Sequence, residues 1–147
     1  MFSSIVVGKD GSATAAAAVD EAVALAAKSG ARLVVVSAYE PVSNSRPRSE
    51  HEAFSEEADW MVPRDEVLAV LERARATAVE SGIGEVETFA RQGDAADAII
   101  DIAEEQGCDL IVVGSKGMTG AKRFLLGSVP NKVSHHAPCS VLIVRTT

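Results

Sequence analysis

Five short apolar runs alternate along this chain with stretches of helical spacing, and that alternation constrains the fold more than any other feature. The runs are Ser4–Gly8, Ala31–Tyr39, Glu85–Gln92, Asp109–Gly114 and Ser140–Arg145. Four of them are continuous and rich in Val and Ile, the pattern of strands covered on both faces. The third alternates Val86, Thr88 and Ala90 with Glu87, Phe89 and Arg91, which predicts a half-exposed edge strand.

The intervening segments carry helix signals. Between Ala13 and Ser29, residues Val19, Val23 and Ala26 recur at helical spacing, with Ser12 placed to cap the start and Gly30 to end the last turn. Pro63 is tolerated at a helix start, and Val67, Val70, Leu71, Ala74 and Ala78 then form an apolar stripe that ends near Ser81-Gly82. Asp94 and Asp97 open a third helix, whose Ala98, Ile99, Ile102 and Ala103 turn inward before Gly107 terminates it. Ser128–Ala137 is the last, with Pro138 as its stop.

Parallel neighbours need helical crossovers, so this order predicts an α/β fold. The expectation is a single doubly wound five-stranded parallel sheet, order 3-2-1-4-5, with helices on both faces. The 147 residues suit one domain, 1–147, which buries roughly 70% of the surface its unfolded chain exposes. Between Glu40 and Val62 the composition turns to Pro, Ser, Asn and acidic residues. This reads as a mobile segment of about 40–62 and a candidate lid. It holds one short helix, marked by the Ser49-x-x-Glu52 capping pattern and by Phe54, Ala58 and Met61 on one face.

In sheets of this kind ligands sit beyond the carboxyl ends of the strands, where the winding reverses. That point lies between strands 1 and 4, and the segments that follow them, Gly8–Ser12 and Gly114–Ser128, are the most glycine-rich of the chain. Four glycines fall within the fourteen residues from Gly114 to Gly127. Gly114 and Gly117 allow the backbone to turn and approach a ligand closely, while Gly127 and Ser128 stand at a helix N-terminus, where N–H groups attract phosphate. Lys116, Lys122 and Arg123 add local positive charge to an acidic chain. Neither the G-x4-G-K-[ST] loop nor the G-x-G-x-x-G fingerprint is present.

The spacing G-x2-G-x9-G-S, formed by Gly114, Gly117, Gly127 and Ser128, resembles the ATP-binding signature of the universal stress protein family. The resemblance extends to the opening IVVGKDGS, the turn DLIVVGSKG, the segment RFLLGSV and the ending HAPCSVLIVR. It implies an adenine nucleotide alpha hydrolase-like fold and an ATP site. Gly8, Lys9 and Asp10 would line the cleft, with Asp10 near the ribose or a phosphate-bound magnesium. Ala38 would lie beside the adenine, and Val113 and Gly114 against the ribose. Gly117, Gly127, Ser128 and Val129 would hold the phosphates, with Lys116 as a further candidate. Lys9 stands where the family often has a small hydroxyl residue. The resemblance also implies a homodimer in which the apolar strand Val141–Val144 pairs with its copy across a two-fold axis.

Other features have plainer explanations. His135 and His136 lack a nucleophile and acidic partner at a triad spacing and suit a helix C-terminus. His51 has no second metal ligand nearby in sequence. Asp94, Asp97 and Asp101 read as a cap and a solvated face, and Cys108 and Cys139 as buried, reduced packing residues. A net charge of −7 and the absence of a long uncharged apolar stretch argue against general nucleic-acid or membrane binding and for a cytoplasmic protein.

No residue reads as a general base or a ligand for attacking water, so no catalytic residue is assigned. The expectation is an ATP-binding stress or signalling regulator rather than an enzyme. A cyclic AMP-binding member of the same family and a slow ATPase, with Asp10 and magnesium assisting water, are the alternatives.

Overall fold

The computed structural model describes residues 2–9, 13–39, 64–115 and 127–146. Its elements are β1 (Ser4–Gly8), α1 (Ala13–Ser29), β2 (Arg32–Tyr39), α2 (Arg64–Glu80), β3 (Val86–Gln92), α3 (Ala95–Glu105), β4 (Leu110–Gly114), α4 (Ser128–His136) and β5 (Ser140–Val144). The predicted cap at Ser12 and the predicted short helix and lid at 40–62 lie outside the described residues.

All five strands form one sheet in the order β3-β2-β1-β4-β5, and every pairing is parallel. Side chains alternate across it. Ile5, Val7, Leu33, Val35, Leu110 and Val112 meet α1 and α2 on one face, while Val6, Val34, Val36, Ala38, Ile111 and Val113 meet α3 and α4 on the other. Most of these strand residues are wholly sealed from solvent. Full burial of each contributes roughly 1.5–3 kcal/mol against exposure, which explains why the three central strands are unbroken apolar runs.

β3 is an edge strand with no fully buried residue, as its alternating sequence predicts. The helix signals also correspond to structure. Asp94 caps α3 by accepting the Asp97 amide at 2.9 Å, and Gly30 and Gly107 follow α1 and α3 with φ of 70° and 63°, where a Cβ would be strained.

The amino ends of the strands are tied by Arg32. Its guanidinium makes five hydrogen bonds: to Ser4 Oγ (2.9 Å), Glu85 (3.3 Å), Glu87 (3.3 Å), the Gln106 carbonyl (2.6 Å) and Gln106 Oε1 (3.3 Å). Those occupy all the donors that arginine has. Alongside, Asp109 accepts the Ser3 and Ser4 amides and the Ser3 hydroxyl at the start of β1. A cavity of about 460 Å³ opens at this end between Ala26, Gly30, Arg32, Ile83 and Glu85. Its cation is therefore already engaged.

The cysteines differ from expectation in one respect. Cys108 is buried and free, but Cys139 is free and only half-buried, because it precedes the exposed edge strand β5. Burial pushes both thiols above the ordinary range, so both favour the unreactive protonated form.

Candidate functional site

The predicted residues that are described gather at the carboxyl ends of three adjacent strands. Gly8 ends β1 and Lys9 follows it; Ala38 is the penultimate residue of β2; Val113 and Gly114 close β4; Gly127, Ser128 and Val129 open α4. Asp10, Lys116 and Gly117 lie outside the described residues.

Strand pairing brings these segments together. The Lys9 amide donates to the Val36 carbonyl at 2.9 Å, which continues the β1–β2 ladder one step past Gly8. Ala38, Val113 and Val129 belong to one buried cluster, each no more than 2% exposed. Their side chains therefore form a floor, and what they present above it is backbone.

Ladder parity gives that backbone a direction. Arg32 and Val36 bond towards β1, whereas Leu33 and Tyr39 bond towards β3, so even-numbered residues of β2 aim N–H and C=O at the β1 side. Ala38 is even-numbered, and β1 has ended at that level. Its N–H and C=O thus point to the β1 side, one ladder step beyond Gly8.

Beside the end of β4, Gly127 is the N-cap of α4, extended at φ −64° and ψ 167°, with no side-chain cap bond. The first intrahelical bond joins the Asn131 amide to the Gly127 carbonyl at 3.1 Å. Helix geometry provides no intrahelical acceptor for the amides of Ser128 and Val129, and Pro130 has no N–H at all. The positive end of the helix dipole falls at the same place. The Gly127 amide is different, for it donates to the Ser115 carbonyl at 2.9 Å. The Gly127 N–H is therefore already engaged within the chain.

Three features were not singled out in the sequence. Ser115 joins both ends of the glycine loop, a role whose only sequence signal is its place directly after Gly114. Lys132, one turn into α4, bridges Asp94 (3.1 Å) and Asp97 (3.1 Å), so those carboxylates are ion-paired and are not merely a solvated face, while Asp101 is exposed. The hydrogen bonds that Lys132 donates to Asp97 and Asp94 raise its ammonium above its ordinary range. Finally, Ser37 is 3% exposed, and its hydroxyl has no hydrogen-bond partner among the described residues. Among the described residues no group of His, Cys, Asp or Glu is arranged to hold a metal ion, and no helix is long and apolar enough to cross a membrane.

Residues 1–145 match the model of the universal stress protein family. The chain belongs to that family. It is 40% identical to universal stress protein YxiE of Bacillus subtilis (strain 168), in an alignment that covers 99% of this chain and 100% of that protein. Among solved structures, a universal stress protein in complex with cAMP is 32% identical with a TM-score of 0.72, covering 99% of this chain and 98% of the other. The universal stress protein UspA from Lactobacillus plantarum is 26% identical with a TM-score of 0.77, covering 97% of each chain. For a universal stress protein, the parallel sheet in the order found here is therefore the family's fold, carried over nearly the full length.

Proposed function

We propose that this universal stress protein is a nucleotide-binding regulator that holds ATP across the carboxyl ends of β1, β2 and β4, with residues 1–147 acting as one domain. The observation that carries the reading is that Gly8, Ala38, Gly114 and the N-cap Gly127 all stand at the carboxyl edge of one parallel sheet, at its switch point between β1 and β4. The Ala38 amide edge supplies a donor–acceptor pair matched to the edge of adenine. At the end of β4, the first turn of α4, whose N-cap Gly127 has no side chain, supplies the positive end of a helix dipole for phosphate.

Gly8, Val113 and Gly114 then flank the ribose, since two of the three have no side chain to block the approach. Lys9, Lys116 and Gly117 complete the phosphate end, and Asp10 stands near the ribose or a phosphate-bound magnesium. With backbone donors dominating, the site is suited to retention rather than turnover. Regulation through nucleotide occupancy follows, in a cytoplasmic homodimer paired along Val141–Val144 at the open edge of β5.

Cyclic AMP is the second reading, supported by the likeness to the universal stress protein solved in complex with cAMP. Slow hydrolysis of ATP, with Asp10 and magnesium assisting water, is an outcome that multiple-turnover phosphate release tests directly. For the principal reading, the test is mass spectrometry of protein purified without added nucleotide and then denatured. ATP released in near-stoichiometric amount supports it; release of cyclic AMP alone favours the second reading.

A further inference from the structure

Ser115 directly follows Gly114 at the end of β4, and it joins three segments of chain. Its amide donates to the Val144 carbonyl at the end of β5, at 2.7 Å. Its carbonyl accepts the amide of Gly127, the N-cap of α4, at 2.9 Å. Its hydroxyl oxygen accepts the Thr146 amide at 3.1 Å and lies 3.2 Å from Thr146 Oγ1, where either hydroxyl can donate.

We propose that Ser115 is a positioning residue of the nucleotide site and that, through it, the C-terminal tail beyond β5 is a working part of that site; the proposal rests on the nucleotide reading above. The Ser115–Gly127 bond ties the residue that follows β4 to the residue that opens α4. The bond sets the N-cap of α4 directly beside the end of β4. That placement holds the first turn of α4, and the positive end of its dipole, at the carboxyl edge of the sheet.

One hydrogen bond to a neighbouring segment leaves Ser115 free to turn about its own backbone. The two further ties, to Val144 and Thr146, remove that freedom, because they approach from the β5 side while Gly127 approaches from the α4 side. A preorganised N-cap loses less freedom when phosphate arrives, and this difference appears as affinity. The side chain must be small enough to lie beside Gly114 and must carry an oxygen that accepts an N–H. Serine and threonine meet both demands, and alanine fails the second. The structure in this way connects the occupancy of the phosphate end to the order of Thr146, a residue of the tail rather than of the loop.

The test uses the full chain and ATP as the probe. Calorimetric Kd values are compared for the wild type, Ser115→Ala, Ser115→Thr and Thr146→Pro, the last of which removes the donor N–H from the other side. Losing the hydroxyl's bonds is expected to raise Kd about tenfold in Ser115→Ala and Thr146→Pro, and Ser115→Thr should stay within about twofold of wild type. Hydrogen exchange supplies a readout that general destabilisation does not mimic: ATP should slow exchange of the Thr146 amide in the wild type and leave it unchanged in Ser115→Ala. Two results overturn the positioning role while leaving the site reading intact. One is wild-type binding of ATP with both variants within about twofold of it. The other is weakened binding that merely tracks a fall in melting temperature, with Thr146 exchange insensitive to ATP even in the wild type. Absence of ATP binding by the wild type overturns the nucleotide reading, and this proposal with it.

Discussion

The ammonium of Lys132 lies 3.1 Å from the same Asp94 oxygen, Oδ2, that accepts the Asp97 amide and caps α3. One carboxylate therefore starts one helix and clasps the next. Asp94→Ala removes both functions, whereas Lys132→Met removes only the clasp. Asp94→Ala should cost about 1–2 kcal/mol in urea denaturation, the usual consequence of losing an N-cap. Lys132→Met should cost clearly less, since Asp94 still caps. Equal losses in the two variants would mean that the clasp, not the cap, carries the effect.

Asp109 gives the fold an acid sensitivity of known sign. Burial alone pushes its carboxyl up, but the amides of Ser3 and Ser4 and the Ser3 hydroxyl together outweigh that and hold it below its ordinary value of 3.8. A depressed carboxyl contributes stability that is present above the unfolded-state value and is lost as pH falls through the folded-state value. Asp109→Asn should destabilise by about 1 kcal/mol at neutral pH. The gap from wild type should close below pH 3.8 as the native carboxyl protonates. A gap that stays constant down to the acid transition contradicts this assignment.

Ser37 is enclosed on the α1/α2 face with its hydroxyl unpartnered among the described residues. Removing an unsatisfied buried hydroxyl relieves its desolvation cost, so Ser37→Ala should raise stability by about 1 kcal/mol, read as a higher urea midpoint with unchanged slope. Destabilisation instead would reveal a partner contributed by residues beyond those described.

At the opposite edge of the sheet, Leu142 is 37% exposed on β5, a strand paired on one side only. If the proposed homodimer forms along this edge, Leu142→Lys should convert the dimer to monomer in light scattering while the circular dichroism spectrum is retained, since charge on an edge strand opposes pairing. A dimer that survives the substitution places the interface elsewhere.

Much of the fold was legible because each element carries its own local signal. The runs at 4–8, 109–114 and 140–145 are bounded by turn residues, Asp94 announces a cap, and the alternation at Val86–Gln92 marks an edge; all of these appear in the structure within a residue or so. The site was legible in part. Glycine spacing pointed to Gly114 and Gly127, but spacing says nothing of hydrogen bonding, so it could not foresee that the Gly127 N–H goes to the Ser115 carbonyl. The Lys132 clasp and the Ser115 knot were illegible for a related reason. Both depend on residues far apart in sequence, Asp94 with Lys132 and Ser115 with Thr146, that only the sheet order brings together.

The central claim is that the crevice between Ala38 and the start of α4 binds an adenine nucleotide by its phosphates as well as its base. Isothermal titration of the wild type and Gly127→Val with ATP, ADP, AMP and cyclic AMP tests it most directly. The account predicts saturable binding by the wild type, tightest for ATP, and loss of the ATP preference in Gly127→Val, whose side chain would stand where the phosphates approach. No measurable binding of any of the four nucleotides by the wild type, or unaltered ATP binding by Gly127→Val, would contradict it.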